Sequence, residues 1–128
     1  MSSPLTRALE TADLALSDGG NTPVLVTSLH TETGSSPCQQ GRSLGALKER
    51  FPSFDISDVG GHGQWGSPEN ISSGGYRHPL PAGKRIALFR EWLVGLSFDH
   101  VVVVGHSGFF KRLLGVNMKN CELVEREL

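Results

Sequence analysis

Four consecutive valines, Val101, Val102, Val103 and Val104, run into Gly105-His106-Ser107-Gly108 and then into Phe109-Phe110-Lys111-Arg112-Leu113-Leu114. This stretch limits the fold more than any other. A β-branched run is stiff at χ1 and favours extended backbone. With turn residues behind it, the span 98–104 reads as a buried strand, the strongest in the sequence. The glycines around His106 suit a tight turn, and the following residues suit a helix ended by Gly115. A buried strand feeding a helix is the building unit of α/β proteins with parallel sheets.

The rest of the chain fits that pattern. Leu5, Ala8, Leu9, Ala12 and Leu16 recur at helical spacing behind Pro4, which suits a first helical turn, and Asp18-Gly19-Gly20-Asn21 should end the helix. Pro-Val-Leu-Val-Thr at 23–27 reads as a second buried strand, and Thr, Gly, Ser, Pro and Gln between 31 and 43 read as loop. Leu44, Leu47 and Phe51 mark a short helix stopped by Pro52. Residues 53–81 hold six glycines and little periodicity, a long irregular excursion of the kind that carries function or moves. Ile86, Phe89, Trp92, Leu93 and Leu96 then share one helical face, and residues 121–124 suggest a final strand.

Composition excludes several function classes. A chain of 128 residues holds one domain, expected here over 1–128. The net charge of −1, with no block of like charge, gives no footprint for nucleic acid. The longest apolar run, 101–105, is far too short for a membrane span, and no leader pattern opens the chain. Only Cys38 and Cys121 are present, which rules out a cysteine-rich zinc site and makes both reduced thiols in an expected cytoplasmic setting. No metal and no cofactor are expected, and the oligomeric state is left open.

His106 has the address at which open α/β sheets place ligands, the carboxyl end of a strand and the amino end of a helix. Helix N–H groups and the helix dipole favour an anion there. Val-Val-Gly-His-Ser also opens many α/β-hydrolase nucleophile elbows, with the serine as nucleophile. Against that, Phe109 stands where the elbow needs glycine, and no histidine follows His106 to serve as base. Of the other histidines, His30, His62, His78 and His100 fall in or beside loops and are expected to face solvent. Trp65 and Tyr76 either line a pocket or, the favoured reading, pin the long excursion to the core.

The opening Ser3-Pro4-Leu5-Thr6-Arg7-Ala8-Leu9-Glu10-Thr11-Ala12, the late Val-Val-Val-Val-Gly-His106-Ser-Gly and the downstream Asn120-Cys121-Glu122 together resemble the histidine phosphatase superfamily. The middle, Phe51-Pro52-Ser53-Phe54-Asp55-Ile56-Ser57 followed by Trp65, is similar to its phosphoglycerate mutase-like branch. The resemblance implies an α/β fold of three layers, a mostly parallel sheet with helices on both faces. It also implies phosphoryl transfer or phosphomonoester hydrolysis through a phosphohistidine. Carried over by position, Arg7 would clamp phosphate oxygens with its planar fork. His106, with Ser107 beside it, would bind the phosphate and stabilise the transition state. Glu32 would protonate the leaving oxygen and later activate water. The partner is then a small phosphomonoester or phosphate. Glu10, Gln39 and Gly66 depart from the family's usual residues and bear on substrate choice.

The same resemblance implies a first strand and an Arg-His-Gly, bearing the nucleophilic histidine, some tens of residues ahead of the Ser-Pro-Leu segment. Only three residues precede Pro4, so the expectation is an N-terminally truncated domain missing its first central strand. Such a gap would leave unpaired backbone and apolar surface unless neighbours rearrange or a partner fills it. Three readings follow: a truncated phosphatase or mutase with absent or weak activity, a non-catalytic module binding an anion or phospholigand, and an unrelated α/β domain.

Overall fold

The computed structural model describes residues 1–16, 23–34, 36–59, 65 and 78–127. Four α-helices lie within them: α1 (Thr6–Leu16), α2 (Leu44–Arg50), α3 (Ala82–Val94) and α4 (Ser107–Leu114). Three short 3-10 turns join them, η1 (Ser28–His30), η2 (Pro37–Gln39) and η3 (Ser57–Val59). Among the described residues no helix is long and apolar enough to cross a membrane.

The helical periodicities hold within the helices, although Leu96 lies past the end of α3 at Val94. On α1, Ala8, Leu9 and Ala12 are buried, although Pro4 stands two residues ahead of the helix rather than in its first turn. The glycine stop at 18–21 lies outside the described residues. Ser43 caps α2, its hydroxyl accepting from Ala46 N–H (3.2 Å), and the helix ends before Phe51 and Pro52. On α3, Phe89 is fully buried while Ile86, Trp92 and Leu93 pack against the same cluster. α4 closes at Gly115, whose φ of 74° is the left-handed conformation that glycine adopts without strain, and whose N–H donates to Lys111 O (2.9 Å).

The expected three-layer fold with a mostly parallel sheet is not formed: among the described residues there is no strand and no sheet. Pairing is confined to isolated parallel bridges, Ser2 with Val26, Ser2 with Val104, and Leu25 with Asp55. Each extended segment is cut short by its own chemistry. Pro4 has no N–H with which to continue the pairing of Ser2 and Ser3. The Thr27 hydroxyl accepts from Leu29 N–H (3.3 Å) and turns the 23–27 run into η1. The Asp55 carboxylate accepts from the N–H (3.0 Å) and hydroxyl (2.6 Å) of Ser57, bending the chain into η3. The strand expected at 121–124 is likewise absent, replaced by a turn at Asn120 and Cys121, where Cys121 has φ 59°.

The space between the two valine-rich segments is not a gap. Ser2 N–H donates to Leu25 O (2.9 Å) and Ser2 O accepts from Thr27 N–H (3.2 Å). On the other side Ser3 N–H donates to Val104 O (3.1 Å) and Met1 O accepts from Val104 N–H (2.9 Å). Residues 1–3 thus satisfy backbone groups of Leu25, Thr27 and Val104 that would otherwise lack these partners.

Side chains alternate across these extended residues and feed two apolar clusters. Val24 and Val26 join Leu5, Leu9 and Ala12 of α1, Leu47 of α2, Phe51, Ile56, Val59 and Trp65. Leu25 and Val103 turn the other way and pack with Met1, Leu29, Phe89 of α3 and Phe109, Phe110 and Leu113 of α4. Trp65 is 5% exposed and its indole N–H donates to Arg42 O (3.0 Å), which places this side chain in the core; residues 60–64 and 66–77 around it lie outside the described residues. Tyr76 lies outside the described residues.

Candidate anion site

His106 is the last extended residue before α4 and caps it, its carbonyl accepting from Phe110 N–H (2.9 Å). Its ring is 5% exposed, with Nε2 2.8 Å from the Ser3 hydroxyl. Burial, then the Arg7 cation, push its pKa down to about 4, with Glu32 pulling upward and Arg85 downward. At neutral pH the ring is therefore uncharged, able to accept a proton or donate one hydrogen bond.

Two of the residues read from the sequence, Arg7 and Glu32, act electrostatically on this ring. Arg7, exposed in the first turn of α1, donates from Nη1 to Cys38 O (2.6 Å) and so is tethered to η2 while still acting on His106. Glu32 follows η1 and is half-buried; its Oε1 accepts from Thr33 N–H (2.7 Å) and weakly from the Thr33 hydroxyl (3.4 Å). The carboxylate lies against Gly108 so closely that a Cβ there would overlap it. The first turn of α4, with its free N–H groups and positive dipole end, favours a negative charge at that place. Glu32 also lines a cavity of about 170 Å³ with Thr31, Thr33, Gln39, His78 and Arg85 among others.

Ser107 is different. Its side chain is exposed and its hydroxyl donates to Met118 O (3.0 Å), so it holds the segment after α4 rather than facing His106. Only its backbone N–H, at the start of α4, remains to meet an anion.

Sequence reasoning missed Arg85 and misjudged His30. Arg85, 4% exposed, reaches from α3 to the loop that carries Glu32: Nη1 donates to Leu29 O (3.0 Å), Thr31 O (2.7 Å) and the Thr31 hydroxyl (2.8 Å), and Nη2 to Glu32 O (3.4 Å). Its guanidinium lies 5.8 Å from the Phe109 ring centroid. Burial pushes its pKa down to about 10, which leaves it charged at neutral pH. Arg85 follows Lys84 and takes no part in the apolar spacing of this helix. The faint signal was its place one residue before Ile86 on a helix with a deeply buried face.

His30, expected in solvent, is fully buried. Its ring lies tilted against Phe89, with centroids 4.8 Å apart, and meets Phe109 edge-on at 6.1 Å. Nε2 lies 3.2 Å from the Val104 carbonyl, which can only accept, so the proton is on Nε2 and Nδ1 carries a lone pair with no partner. Burial, followed by the neighbouring His106, pushes its pKa down to about 3. His78 is half-buried, its Nδ1 accepting from Leu80 N–H (3.1 Å), and His100 is exposed as expected. His62 lies outside the described residues.

No protein-family model, no curated protein and no solved structure matches this chain.

Proposed function

We propose that the chain binds the phosphoryl group of a small phosphomonoester at the His106 site, with the roles of a histidine phosphatase relative, and turns it over slowly or not at all. What carries the reading is that the Glu32 carboxylate lies against Gly108 at the start of the helix that His106 caps, with Arg7 and Arg85 near enough to help push the ring's pKa down. Arg7 supplies a guanidinium fork for two phosphate oxygens, and the neutral His106 donates one hydrogen bond to a third or takes up a proton on binding. Glu32 stands beside the same helix start, where a carboxylate can hand a proton to a leaving oxygen.

Turnover is limited by the nucleophile. The sequence holds no Arg-His-Gly, and His30, the histidine that neighbours His106, is sealed among Phe89 and Phe109. A buried imidazole stripped of solvent access cannot approach phosphorus in line. The net charge of −1 and two exposed thiols, Cys38 and Cys121, fit a cytosolic protein without nucleic acid as partner.

Titration with inorganic phosphate and phenyl phosphate, followed by amide and imidazole NMR shifts, tests the proposal. Saturable shifts centred on Arg7, Gly108 and His106, lost in His106→Ala, with aryl phosphate hydrolysis at background, are expected. Absence of any saturable shift at those residues overturns it, as does robust hydrolysis that survives His106→Ala.

A further inference from the structure

We infer that Arg85 is the positioning residue of this site: its buried guanidinium holds the 29–32 loop so that the Glu32 carboxylate stands at the start of α4 beside His106. The inference deepens the phosphate-binding reading and uses its site, but it concerns how the carboxylate is placed.

The geometry is unusual for an arginine. A buried guanidinium normally faces a carboxylate or phosphate in a bidentate pair. Arg85 makes its four hydrogen bonds to one short loop instead, three of them to the carbonyls of residues 29, 31 and 32 and one to the Thr31 hydroxyl. Carbonyls that converge on one point share a cation, and their peptide planes are fixed by it. The next atoms along the chain are those of Glu32, whose side chain must then leave the loop toward Gly108.

Two further observations bear on this. The Phe109 ring, on the second residue of α4 after Ser107, lies against the guanidinium at 5.8 Å, so the clamp is referenced to the same helix whose first turn meets the carboxylate. In addition, Arg85 carries a full charge a short way from Glu32, which acts on it electrostatically although the two side chains share no hydrogen bond. Arg85 therefore sets where the carboxylate is and offsets part of its charge at once. A lysine keeps the charge but has no fork, and its single ammonium cannot serve four acceptors spread over 29–32 in one geometry.

The test is a double-mutant cycle between position 85 and Glu32, read in two ways on the full chain at neutral pH. One readout is the shift of the Gly108 amide resonance on Glu32→Gln, which needs no ligand. The other is the affinity for inorganic phosphate, which removal of a unit negative charge a few ångströms away should raise about fivefold in a solvent-wetted mouth. With Arg85 in place, Glu32→Gln is expected to move Gly108 and to tighten phosphate by that factor. In the Arg85→Lys background both effects should largely vanish, the affinity ratio falling below about twofold. Arg85→Met should behave alike where it folds, and Arg85→Lys suffices where it does not. If Glu32→Gln moves Gly108 equally in both backgrounds, Arg85 is structural only and the inference fails. If the Gly108 effect depends on Arg85 while phosphate binds to none of the variants, Arg85 stands as the positioning residue and the phosphate-binding reading is the one that falls.

Discussion

Acidification should unfold this chain through its two buried histidines. His30 and His106 are both held neutral, with pKa values pushed down to about 3 and about 4, chiefly by burial. In the unfolded chain each returns to about 6.5. Below that value the unfolded state binds more protons than the folded one, so stability is complete above pH 6.5 and falls as pH drops toward the folded values. Each histidine contributes a slope of about 1.4 kcal/mol per pH unit in that window. From pH 6.5 to pH 4.5 this integrates to about 2 kcal/mol per ring, or about 4 for the pair, because the unfolded rings are only half protonated at the upper end. Domains of this size hold roughly 5–15 kcal/mol in total, so the loss is enough to bring the unfolding midpoint into the mildly acidic range. Urea denaturation at half-unit steps from pH 7.5 to 4.5 measures the slope. His30→Leu should halve it, and at low cost in hydrogen bonding, since the Val104 carbonyl keeps its bond from Ser3 N–H. A wild-type chain equally stable at pH 7 and pH 5, or a His30→Leu slope equal to wild type, would refute the assignment of buried neutral rings.

Arg7→Gln should weaken phosphate binding by about tenfold, the order of one charge-assisted hydrogen-bond pair, with little change in melting temperature because Arg7 is exposed. Ser107→Ala should leave phosphate affinity within about twofold, since its hydroxyl is committed to Met118 O, and NMR titration checks both variants. Leu9→Ala, at a fully buried position of the α1 cluster, should cost about 3 kcal/mol in urea denaturation.

The helices were legible because their apolar residues recur where a 3.6-residue period puts them. Leu44 and Leu47 on α2 and Ile86, Phe89 and Leu93 on α3 announce a face whatever it packs on. Arg7 and His106 were singled out from the order and spacing of short motifs and Glu32 from its place in the loop after 23–27, and Arg7 and Glu32 both act on the titration of the His106 ring. The sheet failed for a reason that periodicity does not carry. A valine run states that backbone is extended, whereas a sheet also needs partners of matching length, and Pro4, Thr27 and Asp55 each end their segment after a residue or two of pairing. His30 was misjudged because polar residues surround it, and Arg85 was missed because a charged side chain does not register in an apolar periodicity. Thr27, Ser28 and Thr31 around His30 look like a loop, yet all three are buried with their hydroxyls engaged, so polarity there marks a satisfied interior.

Ser3 ties the fold of the amino-terminal residues to the behaviour of the site. Its hydroxyl lies 2.8 Å from His106 Nε2 and is reached weakly by Leu5 N–H (3.4 Å), so the imidazole nitrogen that would meet a phosphate oxygen already has a partner. Binding must exchange that bond for a new one, which keeps affinity modest even with Arg7 in place. Ser3→Ala removes the partner and leaves Nε2 buried and unsatisfied, a cost of about 1–3 kcal/mol to the unliganded fold. A phosphate oxygen then satisfies the same nitrogen, and the free energy lost from the apo state returns on binding. Stability and affinity should therefore move in opposite directions, the variant being less stable without ligand and about tenfold tighter for phosphate. Calorimetric titration beside urea denaturation reads both quantities. If the two fall together, the serine hydroxyl is itself a phosphate donor, and His106 is held rather than occupied by it.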